Sequence, residues 1–369
     1  MSGRRWSDFD WLLLLATVCT VAVGVALIYS ATISAQASEP FLEHSYVRQL
    51  LFGLSGLVFL LIGAAVDYHL LGHGHWLLYL AVLGMLALVM FLGQTGFGAQ
   101  SWLSVRRGVQ PSELAKVLLI VVLAKFLADH QGQLANPIWL VSSAAILAIP
   151  VLLIYKQPDL GTALVLVAIW LGMIFASGAR LLHLSLLAAG FAGSVPFVWS
   201  AMKGYMRERV LVFLNPTSDI SGISYNTQQA LISIGSGGWF GKGFLNGTQS
   251  QLYFLRVRHT DYIFSVLGEE FGFLGALALL ALLLLILWRI LRAARMAQDM
   301  FGRLIACGVA VMICFQSVVN VAVNIGLMPV TGLTLPLVSY GGSSLWATLL
   351  GIGLVEGVIM RHRKLDFSS

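Results

Sequence analysis

Four short segments of this chain put ionisable or glycine-rich chemistry inside or beside apolar runs. A charge at membrane depth is costly and calls for a reason. In Gln110-Pro111-Ser112-Glu113-Leu114-Ala115-Lys116, the Pro-Ser pair starts a helix. Glu113 and Lys116 are three residues apart, so they share a face and can neutralise each other. Such a pair is either a structural ion pair or a lysine aimed at an anionic head group and positioned by its glutamate. Lys156-Gln157-Pro158-Asp159-Leu160-Gly161-Thr162 is a very short link, with Asp159 either capping the next helix or serving a site. In Arg256-Val257-Arg258-His259-Thr260-Asp261-Tyr262-Ile263-Phe264, followed by Glu269 and Glu270, a carboxylate lies among cations beside a histidine. That is the surround of a general base, and equally of a helix cap paired with an arginine. Pro336-Leu337-Val338-Ser339-Tyr340-Gly341-Gly342-Ser343-Ser344 contains a glycine turn at a helix start. Its exposed N–H groups suit phosphate, although glycine pairs also serve as plain turns.

The elements that must position these residues are membrane helices. The chain has 369 residues, 58% hydrophobic and 10% charged, with mean hydropathy +0.87. Soluble domains carry about 25% charge, so a soluble enzyme, a nucleic-acid-binding domain and a disordered chain are excluded. Apolar runs able to cross a hydrocarbon core of about 30 Å lie near residues 9–31, 48–66, 75–93, 113–129, 137–155, 160–178, 181–200, 264–288, 303–327 and 341–360. The fold expected is an all-α polytopic membrane protein of about ten spans. The first run reads as a retained span rather than a signal peptide. The segment 201–260, rich in Gly, Ser, Asn and Gln, is the one break in the pattern. It reads as a long extracytoplasmic loop between spans seven and eight of a single domain, 1–369.

An even span count puts both termini on one side, taken as the cytoplasm. The 22 Lys and Arg then divide evenly. The inner share is Arg4, Arg5, Lys125, Arg180, Arg289, Arg292, Arg295, Arg303, Arg361, Arg363 and Lys364. The outer share is Arg48, Arg106, Arg107, Lys116, Lys156, Lys203, Arg207, Arg209, Lys242, Arg256 and Arg258. Long loops escape the positive-inside rule, and an outer excess of cations suits an anionic partner. All four segments fall on the outer face, which suggests a site for a lipid-linked phosphate or pyrophosphate. Cys19, Cys307 and Cys314 form neither a disulfide framework nor a metal spacing. His69, His73 and His75 find no partner ligand beyond Asp67 and read as a solvated loop. Gly161, Gly172 and Gly178 read as close-packing positions.

The runs QPSELAK (110–116), QPDLGT (157–162), GSGG (235–238), GTQSQL (247–252), HTDYIF (259–264), LGEEFG (267–272) and PLVSYGGSS (336–344) resemble, in order and spacing, the SEDS family of bacterial shape, elongation, division and sporulation proteins. The resemblance runs from about Asp8 to Lys364. Gln157 and the GTQSQL run point to the elongation member, while Gly268 and Ser343-Ser344 are closer to the division member. Tyr262 stands where the family usually has Phe, and Thr334 where a small residue is common.

The resemblance implies a peptidoglycan glycosyltransferase that polymerises lipid II at the outer face of the cytoplasmic membrane during elongation. Asp261 would be the catalytic residue. Glu113, Lys116, Asp159, Arg207, Lys242, Arg258, His259, Ser339, Gly341 and Gly342 are the candidate substrate-binding set. The partners implied are a class B penicillin-binding transpeptidase, other elongation-machinery proteins and membrane lipid, with no nucleic acid. A divalent cation, Mg or Mn, would fit the chemistry without a readable ligand set. A lipid II flippase and an inactive scaffold for the transpeptidase are the competing functions.

Overall fold

A computed structural model describes residues 6–34, 36, 40–96, 99–102, 110–133, 136–202, 204–215, 223–252, 254–255 and 258–361. Arg4, Arg5, Arg106, Arg107, Lys203, Arg256, Arg363 and Lys364 lie outside these residues. Each predicted span is a helix: α1 (Trp11–Thr32), α2 (Ser45–Ala65), then after the short α3 (Tyr68–His73) come α4 (His75–Leu92), α5 (Pro111–Asp129), α6 (Pro137–Lys156), α7 (Leu160–Ala176) and α8 (Leu181–Ala201). The long segment holds α9 (Gly204–Leu214), α10 (Ile223–Gly237) and α11 (Thr248–Gln251), and α12 (Ile263–Met296), α13 (Met300–Asn324) and α14 (Gly342–Ile359) complete the bundle. A hairpin of β1 (Gln94–Gly96) and β2 (Ala99–Trp102) adds one small antiparallel pair to the helical plan.

Helices α1, α2, α4, α6, α12, α13 and α14 are long and apolar enough to cross a membrane, as in a multi-pass membrane protein. Helix α5 carries Glu113, Lys116, Lys125 and Asp129, and its burial replaces the apolar surface a lipid-facing helix would need. Pro111 and Pro137 open α5 and α6, where the missing N–H is no loss.

Glycines set the closest approaches. A Cβ on Gly353 would lie 2.2 Å from the Leu60 carbonyl oxygen, and one on Gly63 2.9 Å from that of Leu350. Backbones of α2 and α14 therefore touch, as small residues permit in membranes. Gly161 and Gly172 pack as expected, their added Cβ atoms meeting the Thr331 oxygen at 2.7 Å and Val311 at 2.5 Å. Gly178 does not: space around it is open and its φ is +84°. It ends α7 in a left-handed turn rather than seating a neighbour.

The described residues of the long segment form helices and pack into the bundle. Helix α12 breaks at Gly272, with φ 63° and ψ −159°. The break leaves helical groups without partners, and the 238–243 stretch supplies them. Lys242 N–H donates to Glu269 O at 2.9 Å, Gly243 N–H to Glu270 O at 2.9 Å, Phe273 N–H to Gly238 O at 2.8 Å and Leu274 N–H to Trp239 O at 3.1 Å. Only glycine fits this seam, since a Cβ on Gly237 would sit 1.9 Å from Gly268 O and one on Gly241 2.1 Å from Glu270 O.

At the opposite end, Arg289 binds Asp10 at 2.6 Å, and the Asp10 N–H donates to Glu356 at 3.0 Å. His69 contacts Asp67 at 3.0 Å and Asp299 at 2.8 Å. Among the described residues no group of three or more His, Cys, Asp or Glu could hold a metal.

Candidate active site

Asp261 lies two residues ahead of α12, whose N-cap is Tyr262 with no side-chain capping bond. The capping alternative for Asp261 therefore falls away. Burial pushes its carboxyl up to about 6, against the opposing charge of Arg209 and a hydrogen bond from Thr260. Desolvation disfavours a charged carboxylate, so the group is a stronger base than an exposed aspartate. Burial, aided by the Arg258 charge, holds His259 down to about 4. The histidine is thus neutral at physiological pH and adds no positive charge to the site.

The turn around Asp261 is laced to the glycine-rich segment. Ser339 Oγ donates to Thr260 O at 2.6 Å and accepts from Leu335 N–H at 2.9 Å. Tyr340 N–H donates to His259 O at 2.9 Å. Gln49 of α2, fully buried, accepts from Gly341 N–H at 3.2 Å and donates to Ser339 O at 3.1 Å.

The two remaining segments meet at the start of α7. Asp159 Oδ1 accepts from Thr162 N–H at 3.0 Å, and its Oδ2 accepts from Thr162 Oγ1 at 2.8 Å and Gln110 Nε2 at 3.1 Å. Asp159 is a helix cap, as one reading of the sequence had it. It also feels Glu113, which raises its pKa, and Lys116, which lowers it, with burial the largest influence and upward. Lys116 Nζ lies 2.8 Å from Glu113 Oε2, with only 1% of the lysine side chain exposed. Gln110 N–H donates to Ser343 Oγ at 3.2 Å, and Ser344 and Thr334 hydroxyls bond at 2.9 Å. Direct contacts thus join the four segments at one end of the bundle.

Three candidate cations are engaged elsewhere. Arg207 donates to the carbonyls of Trp199 at 2.9 Å and Ser200 at 2.6 Å, closing the end of α8. Lys242 pairs with the buried Glu269 at 2.9 Å. Arg258, buried, donates to the Ala31 carbonyl at the end of α1. Each serves an acceptor of the fold in this structure.

Reading the sequence for charge missed three residues that the fold brings in: Gln49, Gln110 and Arg209. Arg209 counted only as one more outer cation, yet α9 carries it to Asp261, where it also donates to Val330 O at 3.3 Å. The glutamines were legible only as polar residues at span edges. The carboxylates do not make a metal centre from protein ligands alone, because Asp159 and Glu113 already bind protein donors.

Residues 10–364 match the FtsW/RodA/SpoVE family of cell cycle proteins. The chain is 37% identical to the stage V sporulation protein E of Bacillus subtilis, over 97% of this chain and 98% of that one. It is 38% identical to the peptidoglycan glycosyltransferase MrdB of Escherichia coli, over 92% and 91%. A chain in a solved peptidoglycan synthase complex, described for its coordination of polymerization and crosslinking, superposes with a TM-score of 0.81 at 36% identity, covering 96% and 98%. With identity at this level over nearly the whole of both chains, the protein belongs to the FtsW/RodA/SpoVE family, the SEDS family its motifs resemble.

Proposed function

We propose that this chain is a peptidoglycan glycosyltransferase that polymerises lipid II at the outer face of the cytoplasmic membrane, with both termini in the cytoplasm, in cell elongation. Relatives named as peptidoglycan glycosyltransferases support the activity. The observation that carries the mechanism is Asp261, a half-buried carboxylate of raised basicity that does not cap α12 and lies at the junction of the four segments.

In this reading the acceptor hydroxyl attacks the donor's anomeric carbon, and Asp261 takes its proton. The new C–O bond forms as the anomeric carbon–phosphate oxygen bond breaks, and the electron pair leaves with undecaprenyl pyrophosphate. One base and direct displacement convert an α-linked donor into a β-linked glycan. Charge that develops on the leaving group needs preorganised partners. In this reading Arg209, and Lys116 with its Glu113 counter-ion, supply that partner charge. A divalent cation, when bound, would add to the charge that meets the leaving pyrophosphate.

The solved complex that resembles this chain couples polymerization with crosslinking, which supports a class B penicillin-binding transpeptidase as partner. Asp10, Glu356 and Arg289 close the far end of the bundle with a buried ion pair, which favours a one-sided site over a path for flipping lipid.

The test supplies labelled lipid II to the purified chain with its transpeptidase and resolves glycan products. Polymer from wild type and none from Asp261→Asn is expected. Equal polymer from both would remove Asp261 as the base.

A further inference from the structure

Two carboxamides on α13 grip the backbone of Asp261. Asn320 and Asn324 stand one turn apart and are buried to within 1% of full. Asn324 Nδ2 donates to Asp261 O at 2.8 Å and to Asn320 O at 2.9 Å. Asn320 Nδ2 donates to the same Asp261 O at 3.0 Å and to Leu333 O at 2.8 Å. Asn324 Oδ1 accepts from Ser265 N–H at 3.0 Å and Ser265 Oγ at 2.6 Å.

An amide nitrogen has two hydrogens, so the donors of both residues are spent on the Asp261 carbonyl, which takes one from each, and on the carbonyls of Leu333 and Asn320. Buried amides in an apolar helix are costly unless satisfied, and these are satisfied by the turn that bears Asp261. Because α12 has no side-chain cap of its own, Asn324 caps its first turn from a different helix. The Leu333 bond closes a ring. From Leu333 the chain runs to Leu335, which bonds Ser339, which bonds Thr260, next to Asp261.

We infer that Asn320 and Asn324 are positioning residues for the general base, fixing the distance from Asp261 to the 333–344 segment without touching substrate. The inference rests on the reading of Asp261 given under Proposed function. Among the described residues, the charged or titratable groups around Asp261 are Arg209 of α9 and, on its own stretch of chain, Arg258, His259 and Tyr262. Helix α13 meets it with neutral amides.

The test measures initial polymerisation rates of the full chain with its transpeptidase on labelled lipid II, from about pH 4.5 to pH 8. Wild type, Asn320→Ala, Asn324→Ala, Ser265→Ala and Asp261→Asn are compared, with rates normalised to folded protein by size exclusion. Displacing a base by about 1 Å lowers kcat on the order of 10²-fold, and that loss is expected of either Asn variant with KM within about twofold. The acid limb should also move down by about one pH unit, as the loosened carboxylate gains water. Ser265→Ala leaves both amides in place, and a loss of about threefold with the same direction of shift is expected. It carries the test should the Asn variants not fold.

A merely structural role would lower the yield of folded protein but leave kcat per folded molecule, KM and the acid limb in place, and that result overturns the inference. Full kcat with an unmoved limb in Ser265→Ala and in every Asn variant that folds does so too. These outcomes differ from failure of the underlying reading, in which folded wild type makes no polymer or Asp261→Asn matches it.

Discussion

Lys116 and Glu113 can be separated into structural and catalytic parts by removing them singly and together. At 2.8 Å, and with an effective dielectric constant of about 20, their attraction is roughly 6 kcal/mol. Dehydrating each ion costs several kcal/mol, so most of that attraction only offsets burial. The intact pair should therefore contribute little net stability. Lys116→Met or Glu113→Gln leaves one buried group without its counter-charge, at about 3–5 kcal/mol. The double variant removes both charges and should return to within about 1 kcal/mol of wild type, a coupling of roughly 3 kcal/mol or more.

Stability is read by size-exclusion melting in detergent, and turnover as glycan formed from labelled lipid II per folded molecule. If Lys116 also meets developing pyrophosphate charge, the double variant recovers its melting temperature while its turnover stays down about 10²-fold, the usual loss for one preorganised stabiliser. Recovery of turnover along with melting temperature would refute the catalytic part and leave a structural ion pair. Single variants that melt like wild type would refute the structural part.

Asp261 is raised from 3.8 to about 6, so the base is lost as pH falls through about 6, and the rate should drop tenfold per unit below it; a rate still flat at about pH 5 would contradict this. The stability sign is opposite: the folded state holds this proton more tightly, so its contribution is fully present below 3.8 and lost as pH rises through about 6, which acid-to-neutral melting curves check. Arg209 lowers the same pKa, so Arg209→Met should move the acid limb to higher pH, and a limb unchanged or shifted down would exclude the contact. Gly272→Ala forces a Cβ to 2.4 Å from Gly241 N in a backbone region nearly reserved for glycine and should cost about 3 kcal/mol or more. Gly132→Ala, at φ +87° in open space, should cost only about 1 kcal/mol, and equal melting of the two variants would remove the steric argument.

What the sequence disclosed follows from what each signal depends on. Span positions depend on hydropathy alone, and every predicted run is a helix. Asp159 was legible as a cap because capping is local: its partner Thr162 is three residues away. The protein partners of Arg207 and Arg258 were not legible, for the converse reason. Arg207 and Arg258 bond backbone carbonyls at helix ends, acceptors that every residue carries and no composition reveals. The Gly272 break was hidden because glycine is common in membrane helices, and only its contact with Gly241 shows that a second strand of chain completes it.

The residues nearest the proposed chemistry show the same asymmetry between charge and dipole. Lysine, arginine and carboxylate stand out in an apolar run, so Glu113, Lys116 and Asp261 were found. Gln49, Gln110, Asn320 and Asn324 carry no charge, yet each is committed to a backbone or carboxylate partner at the site. In a membrane interior an amide without a partner costs several kcal/mol, less than an ion but enough to demand a partner. Asn320 and Asn324 at i and i+4 near the end of an apolar helix already implied that something polar must face them there. The group that meets that demand is the backbone of Asp261.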